Sequence, residues 1–259
     1  MTATSLERRV PPLGGFSVTF LRLELRRLLR NKRTVIFTLV LPAVFFLLFG
    51  TSSSYREGTA GAGNVTAYVM VSLALYGAMV ATTSTGAVVA TERALGWSRQ
   101  LRVTPLNPLA YVAVKVCVAM VLGGVSVVVV NVVGRLAGAT LPWDRTLACA
   151  ALAWLCSLVF AAFGLFVGYL LPTENVMQIV GPVLALLAFA GGLFVPADQL
   201  GDLFATVARV TPVYGAAEIV RAPLGDSGSL WPAALNVVAW TSVFVGGAVW
   251  RFRKDTARV

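Results

Sequence analysis

Apolar residues along the chain fall into six long blocks, over residues 34–50, 65–90, 109–133, 145–171, 176–195 and 230–250. A helix needs about 20 such residues to cross the apolar core of a bilayer. The blocks are continuous rather than alternating, which selects membrane helices over a β-barrel. The first block is short and carries Pro42 near its middle. The pattern predicts a kink there, which neighbouring helices can tolerate in lipid. About 33 residues precede this block and no clean small-x-small site follows it. It therefore reads as a retained span rather than a signal peptide.

The polar stretches have helical patterns of their own. In the arm before the first block, Arg22, Arg26, Arg30 and Arg33 recur at helical spacing, while Val18, Leu21, Leu25, Leu28 and Leu29 fill an adjoining side. That separation predicts an amphipathic helix in the membrane interface with its arginines at the headgroups. Between the second and third blocks lies ERALGWSRQLRVTP, residues 92–105. It is the only sizeable charged island inside the apolar sequence. As a helix it puts Ala94, Trp97, Ser98 and Leu101 on one face, with Glu92, Arg93, Arg99 and Arg102 around the rest. Two readings fit it: a basic loop of ordinary membrane topology, or a docking element for a soluble partner.

Residues 196–229 are too long for a simple connector. Leu200, Leu203, Phe204 and Val207 form an apolar stripe, and a second short helix over 214–221 sets Glu218 and Arg221 three apart. The pattern favours a pair that dips into the outer leaflet and returns. Two helices flat on the outer surface are the alternative.

Composition agrees with the blocks. Hydrophobic residues are 58% of the chain and charged residues 12%, with mean hydropathy +0.81. A soluble domain carries about twice that charge. The formal net charge is +10, yet the basic residues gather at block ends, which excludes a nucleic-acid partner and leaves the bilayer. With both termini inside, fifteen Lys and Arg fall on the inner side and five outside, namely Arg56, Arg135, Arg145, Arg209 and Arg221. That bias predicts an even number of spans, N-in and C-in. Lys115, within the third block, is expected to snorkel to the inner interface.

Candidate chemistry is sparse. Histidine is absent, and Cys117, Cys149 and Cys156 lie inside apolar blocks, where cysteine acts as a small packing residue. No phosphate-binding loop or nucleophile elbow occurs. A membrane enzyme is disfavoured, no metal site is expected, and a proton-driven carrier has little intramembrane charge to use. Energy for uphill movement would come from a partner.

Four stretches together resemble the membrane subunits of bacterial ABC-2-type exporters, close to daunorubicin-resistance and polysaccharide-export permeases. The first is LRRLLRNKRTVIFTLVLPAVFFLLFG, with Pro42 and Gly50. The second is ERALGWSRQLRVTPLNPLAYVAVK, with Glu92, Arg93, Gly96, Leu101, Thr104, Pro105 and Lys115. The third is GGLFVPADQL, with Phe194, Pro196 and Leu200, and the fourth is RVTPVYGAAEIVRAPL, with Pro212, Tyr214 and Arg221. Trp97 stands where Thr or Ser is usual, and Val114 where Gly often precedes the lysine.

The resemblance implies an all-α polytopic protein of the bacterial cell membrane. Its six transmembrane helices would run N-in/C-in over 34–250, with a cytoplasmic interfacial N-terminal helix within 1–33 and a cytoplasmic tail over 251–259. External re-entrant helices over 196–229 would precede the last span. It implies a second permease subunit, either another copy or a sister chain, and two copies of a separate ABC ATPase subunit that uses ATP and Mg. This chain would be no enzyme and would bind no cofactor. A coupling helix over 91–105, with Glu92, Arg93, Gly96, Trp97, Leu101 and Pro105, would meet the ATPase together with Arg26 and Arg30 of the arm. Spans two and five would border the path. There Ser72, Tyr76, Met79 and Thr83 stack on one helix, and Gln178, Pro182, Ala185 and Phe189 on the other. Helix-to-helix packing is the alternative use of such residues. Leu200, Leu203, Phe204 and Val207, with Tyr214, are expected to form an external gate. The implied activity is outward movement of an amphipathic or hydrophobic substrate (a drug, a lipid or a lipid-linked glycan), as in multidrug efflux and antibiotic resistance. An ATPase-independent secondary transporter or channel is the alternative.

Overall fold

The computed structural model describes residues 16–96, 107–195, 201–225 and 228–257. They form a helical bundle with one short hairpin of two strands, β1 (Thr59–Ala60) and β2 (Gly63–Asn64). In chain order the helices are α1 (Val18–Arg30), α2 (Lys32–Val35), α3 (Leu41–Phe49), α4 (Ser53–Glu57), α5 (Val65–Ala94) and α6 (Pro108–Leu136). There follow α7 (Trp143–Leu170), α8 (Thr173–Ala190), α9 (Asp202–Val210), α10 (Pro212–Arg221) and α11 (Trp231–Ala257).

Among the described residues five helical stretches are long and apolar enough to cross a bilayer: Lys32–Phe49, α5, α6, α7 and α11, or six if the bent pair α9–α10 counts as one span. The expected fifth block is shorter than the pattern suggested. Helix α8 stops at Ala190 and the chain turns through Gly192, whose φ is +73°. Two other elements run on past the bounds read from the sequence. Residues 91–94 of the expected coupling helix continue α5 without a break. Helix α11 runs to Ala257, so much of the expected tail is helical.

The first span carries a π-turn just before its proline. Proline at position 42 has no N–H to give to the carbonyl of Thr38, four residues back. A π-turn over Ile36–Val40 accommodates this between α2 and α3. The Thr38 carbonyl accepts instead from Ser126 Oγ of α6, at 2.9 Å. In lipid such a group has no water to turn to, so this cross-helix bond satisfies it.

Helix α5 is the axis of the bundle and is buried along most of its length. Against α7 the backbones approach very closely. A Cβ at Gly86 would stand 2.6 Å from the Leu165 nitrogen, and one at Gly164 would run into the Thr83 backbone. Thr82 Oγ1 donates to the Ser157 carbonyl and Thr83 Oγ1 to the Phe160 carbonyl, each at 3.1 Å. Small residues plus interhelical hydrogen bonds are what hold helices together where lipid removes the hydrophobic incentive.

The bundle has two ends. At one, the loop end, Asn64 caps α5 by accepting from Ala67 N at 2.9 Å, and it donates to the Gly138 carbonyl after α6 at 2.9 Å. Helices α9 and α10 meet there at 95°. Their junction is pinned to α11, where Asn236 Nδ2 donates to the Arg209 and Thr211 carbonyls and Trp240 Nε1 to the Val210 carbonyl. Beyond α10, the Leu224 carbonyl accepts from Ala62 of the hairpin at 2.6 Å. The opposite, arm end gathers α1, the last turns of α5 and α7, and the start of α6.

Candidate functional site

Helix α1 does not lie apart from the bundle. Ser17 caps it through the Thr19 N–H. Leu28 is buried with Val114, Val118 and Leu122 of α6 and Ala81 of α5, and Phe20, Leu21 and Leu25 pack around them. Leu21, Leu25 and Leu28 of the amphipathic pattern therefore face the protein's own helices rather than lipid, while Val18 and Leu29 stay exposed.

That docking buries Glu24, which shares the inner side of α1 with Leu21 and Leu28. Lys115 of α6 is also buried, not snorkelled, at 1% exposure. Its Nζ donates to Oε1 of Glu24 and to Oε1 of Glu92. Arg27 Nη1 donates to the same Glu92 oxygen at 2.8 Å and lies 3.5 Å from Glu24 Oε2. Tyr111, one turn before Lys115, donates its hydroxyl to Glu92 Oε2. Two carboxylates thus face two cations, and the cluster is neutral as a whole. Buried charges are tolerated only when paired and hydrogen-bonded, and this network joins α1, α5 and α6, which are far apart in sequence.

Arg93 carries the connection to a fourth helix. Its Nη1 donates to the Gly168 and Tyr169 carbonyls, at 3.1 and 2.8 Å, at the end of α7. A guanidinium there satisfies carbonyls left over by the helix and meets the negative end of its dipole. One residue further on α5 ends, and Gly96 turns the chain with φ +73°. Open space surrounds the place where its Cβ would be, so the backbone conformation, not crowding, asks for glycine.

This arrangement corrects the expected orientation of the charged island. Glu92 is buried and Arg93 is half-buried, and both side chains are bonded within the bundle. Trp97, Leu101 and Pro105 lie outside the described residues. Arg26 and Arg30 are exposed on the outer side of α1, away from the network. Glu24 and Tyr111 belong to the site although the charged island did not include them. One signal was available: Glu24 is the lone acid on the leucine side of an arginine-rich helix.

The expected path residues separate into two groups. Ser72, Tyr76, Met79 and Thr83 are all buried within this chain. Ser72 Oγ accepts from Arg221, Tyr76 meets the Phe194 ring edge-on at 5.0 Å, and Thr83 bonds to α7. Gln178 and Phe189, by contrast, are exposed on α8. Of the expected gate, Leu203, Phe204 and Val207 are exposed on α9, Tyr214 is half-buried on α10, and Leu200 lies outside the described residues. Among the described residues the stripe finds no cover.

Arg221 organises the loop end. It donates to Ser72 Oγ on α5 and to the Gly192 and Leu193 carbonyls after α8, and its guanidinium lies 4.4 Å from the Tyr68 ring centre. One side chain thereby ties α10 to α5 and to the end of α8.

Comparison with known proteins agrees with this architecture. The family described as ABC-2 type transporter matches residues 18–224, from the first residue of α1 to the end of the short 3-10 turn after α10. Among curated proteins, YvfS of Bacillus subtilis (strain 168), named as a transport permease, is 26% identical over 235 residues, covering 86% of this chain and 91% of that protein. A multi-pass helical membrane protein with this match is a permease, and the chain belongs to the ABC-2 type transporter family.

Proposed function

We propose that this chain is the membrane subunit of an ATP-driven exporter, with six spans and the arm end in the cytoplasm. The observation that carries the proposal is the junction at Glu92 and Arg93. The last turn of α5 is bonded there to α1, α6 and α7, immediately before the turn at Gly96. A push on α1 or on residues 97–106 would reach three spanning helices through buried, directional bonds. Two copies of a separate ABC ATPase, which uses ATP and Mg, would supply that push, and a second permease would complete the pathway.

Charge supports the orientation. Among the described residues Arg22, Arg26, Arg27, Arg30, Lys32, Arg33, Arg93, Arg251, Arg253 and Lys254 gather at the arm end. The loop end has Arg56, Arg135, Arg145 and Arg221, with Arg209 on the α9–α10 pair. Such an excess marks the cytoplasmic side. The exposed residues Gln178 and Phe189 are placed to face a path between paired subunits. Ser72, Met79 and Thr83 build its wall from behind. The bent α9–α10 pair is read as re-entrant, with Leu203, Phe204, Val207 and Tyr214 closing the outer end. The substrate class is amphipathic or hydrophobic: a drug, a lipid or a lipid-linked glycan.

A carrier that needs no ATPase would have to use the buried acids as an ion relay. Glu24 and Glu92 are already neutralised by Arg27 and Lys115, so a coupling ion has no net charge to replace. Co-expression with its ATPase tests the proposal. The two should copurify and show vanadate-sensitive ATP hydrolysis in lipid. Uphill transport by the purified chain alone, under a proton gradient, would contradict it.

A further inference from the structure

We propose that the outer side of α1 holds the phosphate of an anionic phospholipid, between Arg26, Arg27 and Arg30 and beside Leu23. The inference rests on the arm end lying at the membrane surface. These four residues line a cleft of about 460 Å³. Arg26 and Arg30 stand one helical turn apart, and neither makes an ion pair among the described residues. Arg27 is half-exposed and, among the described residues, donates inward through Nη1, with Nε and Nη2 open to a ligand. Guanidinium groups match phosphate oxygens in planar, two-pronged geometry.

Two observations point to a lipid rather than an acidic protein. First, the exposed side of α1 is not purely polar: Val18, Leu23 and Leu29 are 73%, 60% and 46% exposed among the arginines. Such side chains suit the boundary between headgroups and acyl chains, and gain nothing from a wet surface. Second, the inner side of α1 is already fixed on α5 and α6 through Leu28 and Glu24. The helix is therefore held beside the spans, with its arginines at the height of their ends.

The site also touches the junction. The guanidinium of Arg27 that would meet the phosphate is the one that holds Glu92. Headgroup occupancy thus draws on the same cation that ties α1 to α5, and anionic lipid would set how firmly the junction is held.

The test is lipid retention by the full chain. The chain is reconstituted in nanodiscs of mixed phosphatidylglycerol and phosphatidylcholine, and retained lipid is read by native mass spectrometry. Wild type should retain phosphatidylglycerol preferentially. The double variant Arg26→Gln, Arg30→Gln should lose about twentyfold of that preference, at about fivefold per arginine. Arg26→Lys, Arg30→Lys should keep most of it. Both positions are exposed, and an unchanged melting temperature checks that the fold survives. Equal retention by wild type and the glutamine variant overturns the proposal. Displacement of the retained lipid by millimolar inorganic phosphate would make this a soluble-anion site and overturns the lipid assignment. Loss of ATPase copurification in the glutamine variant with lipid preference intact would assign the face to the ATPase instead. The readout needs no ATPase and no transport, so it can succeed or fail independently of the exporter reading.

Discussion

Glu92 is the residue on which most depends, because three donors converge on its carboxylate from two other helices. Removing one partner from a buried ion network leaves an uncompensated charge and costs about 3–5 kcal/mol. Glu92→Gln should therefore lower the melting temperature of the purified chain strongly. Arg26→Gln, at an exposed site outside the network, should change stability by less than about 0.5 kcal/mol. Similar melting curves for the two variants would mean that Glu92 is not held as described. Had Glu92 faced a partner, its loss would have spared folding and hurt only docking, so this comparison separates the two placements. The sequence marks Glu92, Arg93 and Lys115 as unusual, through one motif and one cation inside an apolar run. It does not reveal that Glu24 and Lys115 meet, since their contact spans 91 positions and depends on how α1 docks.

At the scale of elements, the π-turn in the first span and the α9–α10 pair each yield a test. Ser126→Ala should leave the Thr38 carbonyl without its donor in an apolar setting, a loss of about 1–3 kcal/mol. Pro42→Ala returns a backbone N–H that can serve the same carbonyl. In that background Ser126→Ala should cost much less, and additive losses would show that the two are uncoupled. For α9, the exposed stripe of Leu203, Phe204 and Val207 should be covered by lipid or a second subunit. Single cysteines there, in a background lacking Cys117, Cys149 and Cys156, should react slowly with a membrane-impermeant reagent. Phe204→Asp should cost about 2–3 kcal/mol if the stripe lies at membrane depth. Fast, uniform labelling at all three positions would make α9 a solvated helix and remove it from the gate. That Pro42 disturbs the helix before it could be read directly from the sequence, because proline removes its own backbone N–H. The burial of Ser72 and Thr83 could not, because helical spacing gives the face of a helix but not the neighbour it meets.

For the whole molecule, the long apolar blocks were legible because a bilayer imposes a length and a composition on every span. Their ends were less so, being decided by caps and turns such as Asn64, Gly96 and Gly192. The central proposal is that movement of a partner ATPase enters through α1 and the chain after Gly96, and reaches α5, α6 and α7 at the ion network. The most direct measurement is transport per ATP hydrolysed in proteoliposomes containing this chain and its ATPase, for wild type and for Lys115→Met. Only folded complexes isolated by size exclusion would be compared. Lys115 is buried inside the network, so its loss should lower the yield of folded complex, as at Glu92, but leave ATP hydrolysis intact in the complexes that fold. Transport per ATP should fall about fivefold or more, as expected for a coupling free energy of about 1 kcal/mol or above. An unchanged ratio in folded Lys115→Met complexes would contradict a coupling role for the network.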